Sequence, residues 1–267
     1  PYTYTYQRFA LPIMAGAAPT NDFSGEELFG GATTFKSYAW EWNGYKWENL
    51  TGGWNSLEPF KGYQLANNTV NGGVTYTFKG ELVGNENAEY KFPTGGYDFF
   101  GSSHSAPIYI DSLFLSLAEY NVEPTVWIYN FGTSQYDAIT SEWIGMFYDD
   151  EIKANEGFVL RFKGSKGTAT LDYGKAIWGN PNMDAAIGRT RTNNAPARVR
   201  SHSTSNLAVI NVTAENGFGD NVKLLEADRF SSEFDNGADA SKFMSAEGIN
   251  IYASTEAGEL ANVATDD

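Results

Sequence analysis

Residues 38–47 have the sequence YAWEWNGYKW, and this stretch decides the fold that we predict for the chain. Aromatic and polar side chains roughly alternate through its first half, as they do in a β-strand with one buried face. Asn43-Gly44 favours a tight hairpin turn, after which residues 45–47 return as a second strand. The segment FKGYQL at 60–65 adds further β-prone sequence. These segments together predict an antiparallel sheet.

A similar pattern recurs further along the chain, so that Gly62 and Gly157 are 95 residues apart. The second copy has three pieces in the same order: VWIY at 126–129, an aromatic stretch with Tyr136 and Trp143, and IKANEGFVL at 152–160. The starts of the copies are also similar: YQRFALP at 6–12 and YDFF at 97–100. A repeated unit without a repeated catalytic set is typical of architecture or of a binding surface.

The duplication divides the chain into two β modules, at 1–95 and 96–190, and a shorter remainder at 191–267. An arginine-rich polar stretch at 189–205 is either a linker or a docking strip for acidic surface. Beyond it, strands are predicted at three places: 207–212, 221–225 and 249–252. This jelly-roll-like remainder is short for a sandwich of about 100 residues, so it either packs on the other modules or is incomplete.

Helical signals are few. The best is IDSLFLSLAEY at 110–120, with Asp111 or Ser112 as the N-cap, and a helical turn is predicted at 239–244. The predicted fold class is therefore all-β, with tandem β-sandwich or jelly-roll-like modules and few short helices.

Composition limits the classes of function. The net charge of −15 and the pI near 4.5 disfavour binding to nucleic acid or to anionic membranes. The absence of cysteine excludes disulfides, cysteine-ligated zinc and thiol catalysis, and two histidines are too few for a three-histidine metal site. No apolar run reaches the ~18 residues of a membrane span. Because the chain starts at Pro1, we expect a processed product or an excerpt of a longer polypeptide.

Several motifs occur in a fixed order: FALP at 9–12, YAWEWNGYKW at 38–47, FKGYQL at 60–65 and YTFKGEL at 76–82, with second copies at 126–136 and 154–159. This order resembles the surface and secreted β modules of Bacteroidota that the type IX secretion system exports. FDNGADASKF at 234–243 is similar to part of a jelly-roll-like domain that follows such modules. The chain departs from the family at 101–107, where the usual opening of the second unit is missing, and at 253–267, which does not look like a sorting domain.

The resemblance implies an exported cell-surface protein and no defined activity. It also implies an O-glycan on Ser112, because Asp111-Ser112-Leu113 matches the short pattern on which these bacteria attach sugars.

The first candidate site is aromatic and consists of five side chains: Trp40, Trp42, Tyr45, Trp47 and Trp54. On a hairpin Trp40 and Trp42 share a face, and Trp47 lies across from them. An exposed row of these rings would stack on sugars and bind glycans. Alternatively the rings fill the core of the module, as the comparable aromatics of the second copy suggest.

The second candidate site is acidic. Oxygens of Asp235, Asn236 and Asp239, with Asp220 and Asp228 as additional ligands, would bind Ca²⁺, and the alternative is an Asx-turn with a helix N-cap. Two further sets carry weaker signals. Adjacent acids at 149–151 are typical of a solvated loop rather than of an acid/base pair, and His104 with its serine neighbours is a poor catalytic triad.

The sequence thus predicts a non-catalytic extracellular protein, a structural or adhesive building block of a bacterial surface layer, filament or stalk. Its predicted partners are other copies of itself or other surface proteins. Two alternatives stay open: a glycan-binding module of a polysaccharide-using system, and a jelly-roll capsid or coat protein of a virus. No catalytic residue is predicted, and Ca²⁺ is the one cofactor considered.

Overall fold

The chain folds mainly into β-strands, which confirms the predicted all-β class. The computed structural model describes these residues: 4–14, 37–49, 57–68, 80–132, 135–142, 144, 151–176, 206–215, 219–226, 230–244, 249–255 and 258–266. Within them the elements are β1 (Tyr4–Ala10), β2 (Ser37–Trp42), β3 (Trp47–Asn49), β4 (Gly62–Asn68), β5 (Ala88–Phe92), β6 (Gly96–Gly101), β7 (Ile108–Tyr109), α1 (Ile110–Leu117), β8 (Thr125–Asn130), β9 (Gln135–Thr140), β10 (Glu151–Ile152), β11 (Gly157–Phe162), β12 (Gly167–Leu171), α2 (Tyr173–Ala176), β13 (Asn206–Thr213), β14 (Gly219–Glu226), β15 (Ala240–Ser241), β16 (Ala253–Ser254) and β17 (Leu260–Asp266). The sandwich arrangement and the module boundaries stay predictions.

Two four-stranded antiparallel sheets have the same strand order. The first sheet runs β1-β4-β2-β3 and the second runs β6-β11-β8-β9, so in each sheet the fourth strand in sequence lies between the first and the second. The predicted hairpin at Asn43-Gly44 is confirmed: Asn43 Oδ1 accepts the N–H of Tyr45 and of Lys46, both at 3.0 Å. Gly44 has a φ of 94°, a left-handed value that glycine adopts without strain.

The second sheet is buried on both faces. Phe158 and Leu160 of β11 belong to the core cluster on one face. Val159, between them, packs with Trp127 in the cluster on the opposite face. Burial of both faces explains the unbroken apolar run in β11, since a strand with one wet face would alternate.

The helix α1 and the paired strands β5 and β12 cover one face of the second sheet. The predicted helix at 110–120 is confirmed, but it ends at Leu117. The predicted N-cap at Asp111 or Ser112 is wrong, because the helix already begins at Ile110 and Tyr109 is the N-cap. No helix in the described part of the chain has the length and apolar character needed to cross a membrane.

The third sheet has the order β13-β14-β17-β15, with β16 paired to β17, and it packs on the other face of the second sheet. The strands predicted at 207–212 and 221–225 are confirmed as β13 and β14. The strand predicted at 249–252 is wrong, because pairing with β17 starts at Ala253. The helical turn predicted at 239–244 is also wrong, because Ala240 and Ser241 pair with β17 as a strand.

Candidate functional site

The two four-stranded sheets meet at a junction where backbone contacts occur in corresponding pairs. The Ala10 N–H donates to the Asn155 carbonyl at 2.9 Å. The Gly101 N–H donates to the Phe60 carbonyl, also at 2.9 Å. Ala10 and Gly101 each end the first strand of their sheet, and Phe60 and Asn155 each lie two residues before the fourth strand begins. Each sheet therefore gives and receives the same hydrogen bond, as subunits related by a two-fold axis do.

The backbone at this junction is tightly constrained. Phe60 has a φ of 65° and Asn155 a φ of 61°, and both values lie in the left-handed region that non-glycine residues rarely adopt. A Cβ on Gly101 would lie 2.2 Å from the Cβ of Ala10 and 2.9 Å from the carbonyl oxygen of Lys61. Strained residues and such close approach persist where surrounding contacts hold the backbone in one arrangement.

His104 and its serine neighbours lie beside the junction. Ser103 Oγ accepts the N–H of Phe60 at 2.7 Å. The His104 ring stacks on Tyr173 with centroids 3.5 Å apart, and its Nε2 lies 2.9 Å from the Glu86 carbonyl oxygen. Burial lowers the pKa of His104, which favours the neutral ring. These side chains support the backbone and do not converge on one another as a triad.

Arg8 lies at the centre of an aromatic cluster contributed by both sheets. Its guanidinium carbon is 4.4 Å from the ring centroid of Tyr129, 5.3 Å from that of Trp47, 5.7 Å from that of Tyr136 and 6.0 Å from that of Phe99. Arg8 Nε also donates to the Tyr136 hydroxyl at 2.8 Å. Burial raises the pKa of Tyr136, so this hydroxyl stays neutral. Each cation–ring contact contributes about 0.5–2 kcal/mol, which makes Arg8 a strong tie between the sheets.

The residues of the predicted glycan site are divided between this cluster and solvent. Trp42 and Trp47 are half-buried, and their rings meet edge to face at 69° with centroids 5.5 Å apart. Trp42 Nε1 donates to a backbone carbonyl of β6 at 3.1 Å. Trp40 is half-buried, Tyr45 is 74% exposed at the hairpin tip, and Trp54 lies outside the described residues. The two indoles therefore do not form a flat platform, and glycan binding stays a prediction.

The predicted calcium ligands lie in the loop before β15, where their oxygens accept hydrogen bonds from the protein. Asp239 Oδ1 accepts the N–H and the hydroxyl of Thr265, both at 2.6 Å, and its Oδ2 accepts the Asp235 N–H at 2.8 Å. Asn236 Oδ1 accepts the Lys163 ammonium at 2.8 Å. Among the described residues, no group of three histidine, aspartate or glutamate side chains is placed to hold a metal ion. The geometry favours the Asx-turn interpretation, and calcium binding stays a prediction.

Two further acids of the sequence analysis lie elsewhere. Asp220 forms a buried ion pair with Lys242 and accepts the Ile251 N–H at 2.7 Å. Asp228 lies outside the described residues, as do 149–150. The Ser112 side chain is fully buried in α1, so in this fold its hydroxyl is closed to a glycosyltransferase.

Sequence reasoning missed the fully buried carboxylate of Glu123. Glu123 has no exposed surface, and its Oε2 accepts from Arg161 Nη1 at 2.9 Å and from the Ser241 hydroxyl at 2.7 Å. Its Oε1 accepts the Ser241 N–H at 2.8 Å. This network joins the second sheet to the third. A signal was present, since Glu123 is the one charged residue in the run NVEPTVW, but its partners lie up to 118 positions away.

No family model, curated protein or solved structure matches this chain. Its function therefore rests on what the described geometry can do. The junction fixes two sheets in one arrangement through paired hydrogen bonds and an arginine-centred aromatic cluster, and Glu123 fixes the third sheet to them. The contacts of this site thus hold the three sheets together.

Proposed function

We propose that this chain is a non-catalytic structural protein, built from a duplicated β unit, that serves as a building block of an extracellular layer, filament or stalk. The observation that carries the proposal is the junction, where two sheets of equal strand order exchange equivalent hydrogen bonds. Duplication accounts for both features, because two fused copies of a self-associating unit keep their two-fold contacts. A locked pair of sheets presents its outer surfaces at fixed angles, as a repeating assembly requires.

The contacts of the buried charged side chains support the same structural role. Glu123 and Arg161 connect the second sheet to the third, and Asp239 anchors the loop before β15 to β17. Arg8 is held by four aromatic rings. Glu123, Arg161 and Arg8 stabilise contacts between sheets, and Asp239 stabilises contacts within the third sheet, so the fold employs these charges for rigidity.

The charge of the chain supports an assembly that depends on ionic strength. A net charge of −15 keeps copies apart at low ionic strength, and salt screens that repulsion over about 8–10 Å. The motif resemblance to Bacteroidota surface modules supports the extracellular part of the proposal.

Electron microscopy and light scattering of the full chain across protein and salt concentrations test the proposal. We expect ordered multimers whose population rises with ionic strength, because screening lowers the repulsion between acidic copies. Glycan-array binding of the same samples provides the contrast with the sugar-binding alternative. A chain that stays at its 29.3 kDa monomer mass under all of these conditions contradicts the proposal.

A further inference from the structure

The edge strand β13 exposes apolar side chains on both of its faces. Within the described residues it pairs on one side, with β14, in an unbroken register of eight residue pairs. Leu207 and Val209 are 41% and 45% exposed on one face, and Ile210 is 44% exposed on the other. Strands that are apolar on both faces are typical of positions where both faces are covered, so β13 exposes apolar surface that a partner would bury.

β13 also lacks the features that keep exposed edges apart. Its sequence, NLAVINVT, contains no charge and no proline, and its register contains no bulge. Outer strands of the other two large sheets carry charges that reach solvent: Glu48 is exposed in β3, and Asp137 is half-buried in β9. The contrast singles out β13 as the edge that is built to pair.

We propose that β13 pairs antiparallel with β13 of a second copy of this chain, which joins two five-stranded sheets across a two-fold axis. The proposal rests on the proposed function and names its partner and surface. An uncharged edge is compatible with a second copy as the occupant: like charges oppose the approach of two chains of net charge −15, and the eight neutral residues of β13 add nothing to that repulsion.

The strand is also complementary to itself. A two-fold axis perpendicular to the sheet keeps each face on its own side, so even-numbered residues face even-numbered residues of the copy. With the axis at Ile210, Ala208 lies opposite Val212 of the second copy, and apolar side chains meet on that face.

Analytical ultracentrifugation of the full chain tests the pairing with a matched pair of variants. Ile210→Lys places a charge beside its own copy, whereas Leu115→Lys makes an equivalent change at a 50%-exposed position on α1. We expect the wild type and Leu115→Lys to share one dissociation constant, and Ile210→Lys to raise it by about tenfold or more. Circular dichroism confirms that both variants are folded.

Cysteine substitution tests the geometry, because the chain contains no cysteine of its own. Residues on the axis of an antiparallel pair have Cα atoms about 4.5–5.5 Å apart, within the range that a disulfide bridges. Under mild oxidation we expect a covalent dimer from Ile210→Cys, and none from Val209→Cys, which lies opposite Asn211 of the second copy, or from Leu115→Cys. Failure of Ile210→Cys to cross-link, with a wild type that is monomeric up to about 1 mM, overturns the proposal.

The outcomes also separate this inference from the proposed function. If ordered multimers form and Ile210→Lys leaves them unchanged, pairing through β13 is refuted while the structural role stands. If β13 dimers form and cross-link but nothing larger assembles at any salt concentration, the inference stands and the building-block proposal is contradicted.

Discussion

Replacement of Gly101 by alanine tests whether the junction between the two four-stranded sheets is as close as the structure shows. The new Cβ would lie 2.2 Å from the Cβ of Ala10 and 2.9 Å from the carbonyl oxygen of Lys61. Ordinary carbon–carbon contacts are about 3.5–4.0 Å, so the Ala10 strand must retreat by about 1.3–1.8 Å. Neither neighbour is the end of a flexible side chain, and the backbone itself must therefore move.

That movement breaks hydrogen bonds that both sheets need. The Gly101 N–H donates to Phe60 O and the Ser102 N–H donates to Glu156 O, each at 2.9 Å. A buried backbone group left without a partner costs about 1–3 kcal/mol, and overpacking costs a further 1–3 kcal/mol or so. Alanine restricts the unfolded chain and returns about 0.4–1 kcal/mol. We expect Gly101→Ala to lower the free energy of unfolding by about 2–5 kcal/mol.

Urea unfolding followed by tryptophan fluorescence measures this loss, because Trp42, Trp47 and Trp127 pack close to the junction. With an unchanged slope, the midpoint should fall by about 1 M or more. Gly174→Ala is the matched control: it lies exposed in α2, and its Cβ would meet only a carboxylate oxygen of Asp172 at 3.3 Å. A Gly101→Ala midpoint equal to that of the control would refute the close junction.

Three further predictions concern charge and aromatic packing. Glu123→Gln should lower the free energy of unfolding by about 2–3 kcal/mol, because Arg161 and its neighbours lose their carboxylate partner. Adding Arg161→Met to this variant should restore part of the loss in the same urea assay. Burial raises the pKa of Asp98 to about 6, above its unfolded value of 3.8. The contribution of Asp98 to stability is therefore present at low pH and is lost as the pH rises from about 4 to 6. Asp98→Asn should remove this dependence and gain up to about 3 kcal/mol relative to wild type between pH 4 and pH 7; an equal pH profile for both chains would contradict the burial. Trp47→Ala should lower the free energy of unfolding by about 2 kcal/mol and Tyr45→Ala by less than about 0.5 kcal/mol, because the Trp47 ring is packed and Tyr45 is 74% exposed. Thermal unfolding measures both losses, and equal losses would argue against the packing of Trp47.

Local chemistry made parts of this fold predictable. The hairpin at Asn43-Gly44 depends on turn residues that are adjacent in sequence, and its geometry follows from them alone. The helix at 110–120 was likewise predicted from the local sequence, although it ends at Leu117. Where the determining contacts lie within about ten residues, pattern and structure agree.

Distant contacts decided the parts that the sequence analysis missed. The segment at 239–244 has the composition of a helical turn, but Asp239 binds Thr265 of β17, and Ala240 then adds to the edge of that strand. Glu123 and Ser241 are 118 positions apart, and no local sequence pattern predicts a contact between them. In each case an element of modest intrinsic preference is fixed by tertiary hydrogen bonds, which outweigh propensity.

The proposed duplication also accounts for an asymmetry at the centre of the junction. Arg8 lies two residues before the end of β1, and Phe99 occupies the corresponding place in β6, with the guanidinium carbon 6.0 Å from the ring centroid. A symmetric dimer would put two arginines there, and two unit charges about 6 Å apart repel by about 3 kcal/mol at an effective dielectric constant of 20. Under the proposed duplication, one unit keeps the cation and the other supplies the ring, so repulsion becomes attraction. Fusion into a single chain permits this division of roles, because each copy is then free to differ at the axis.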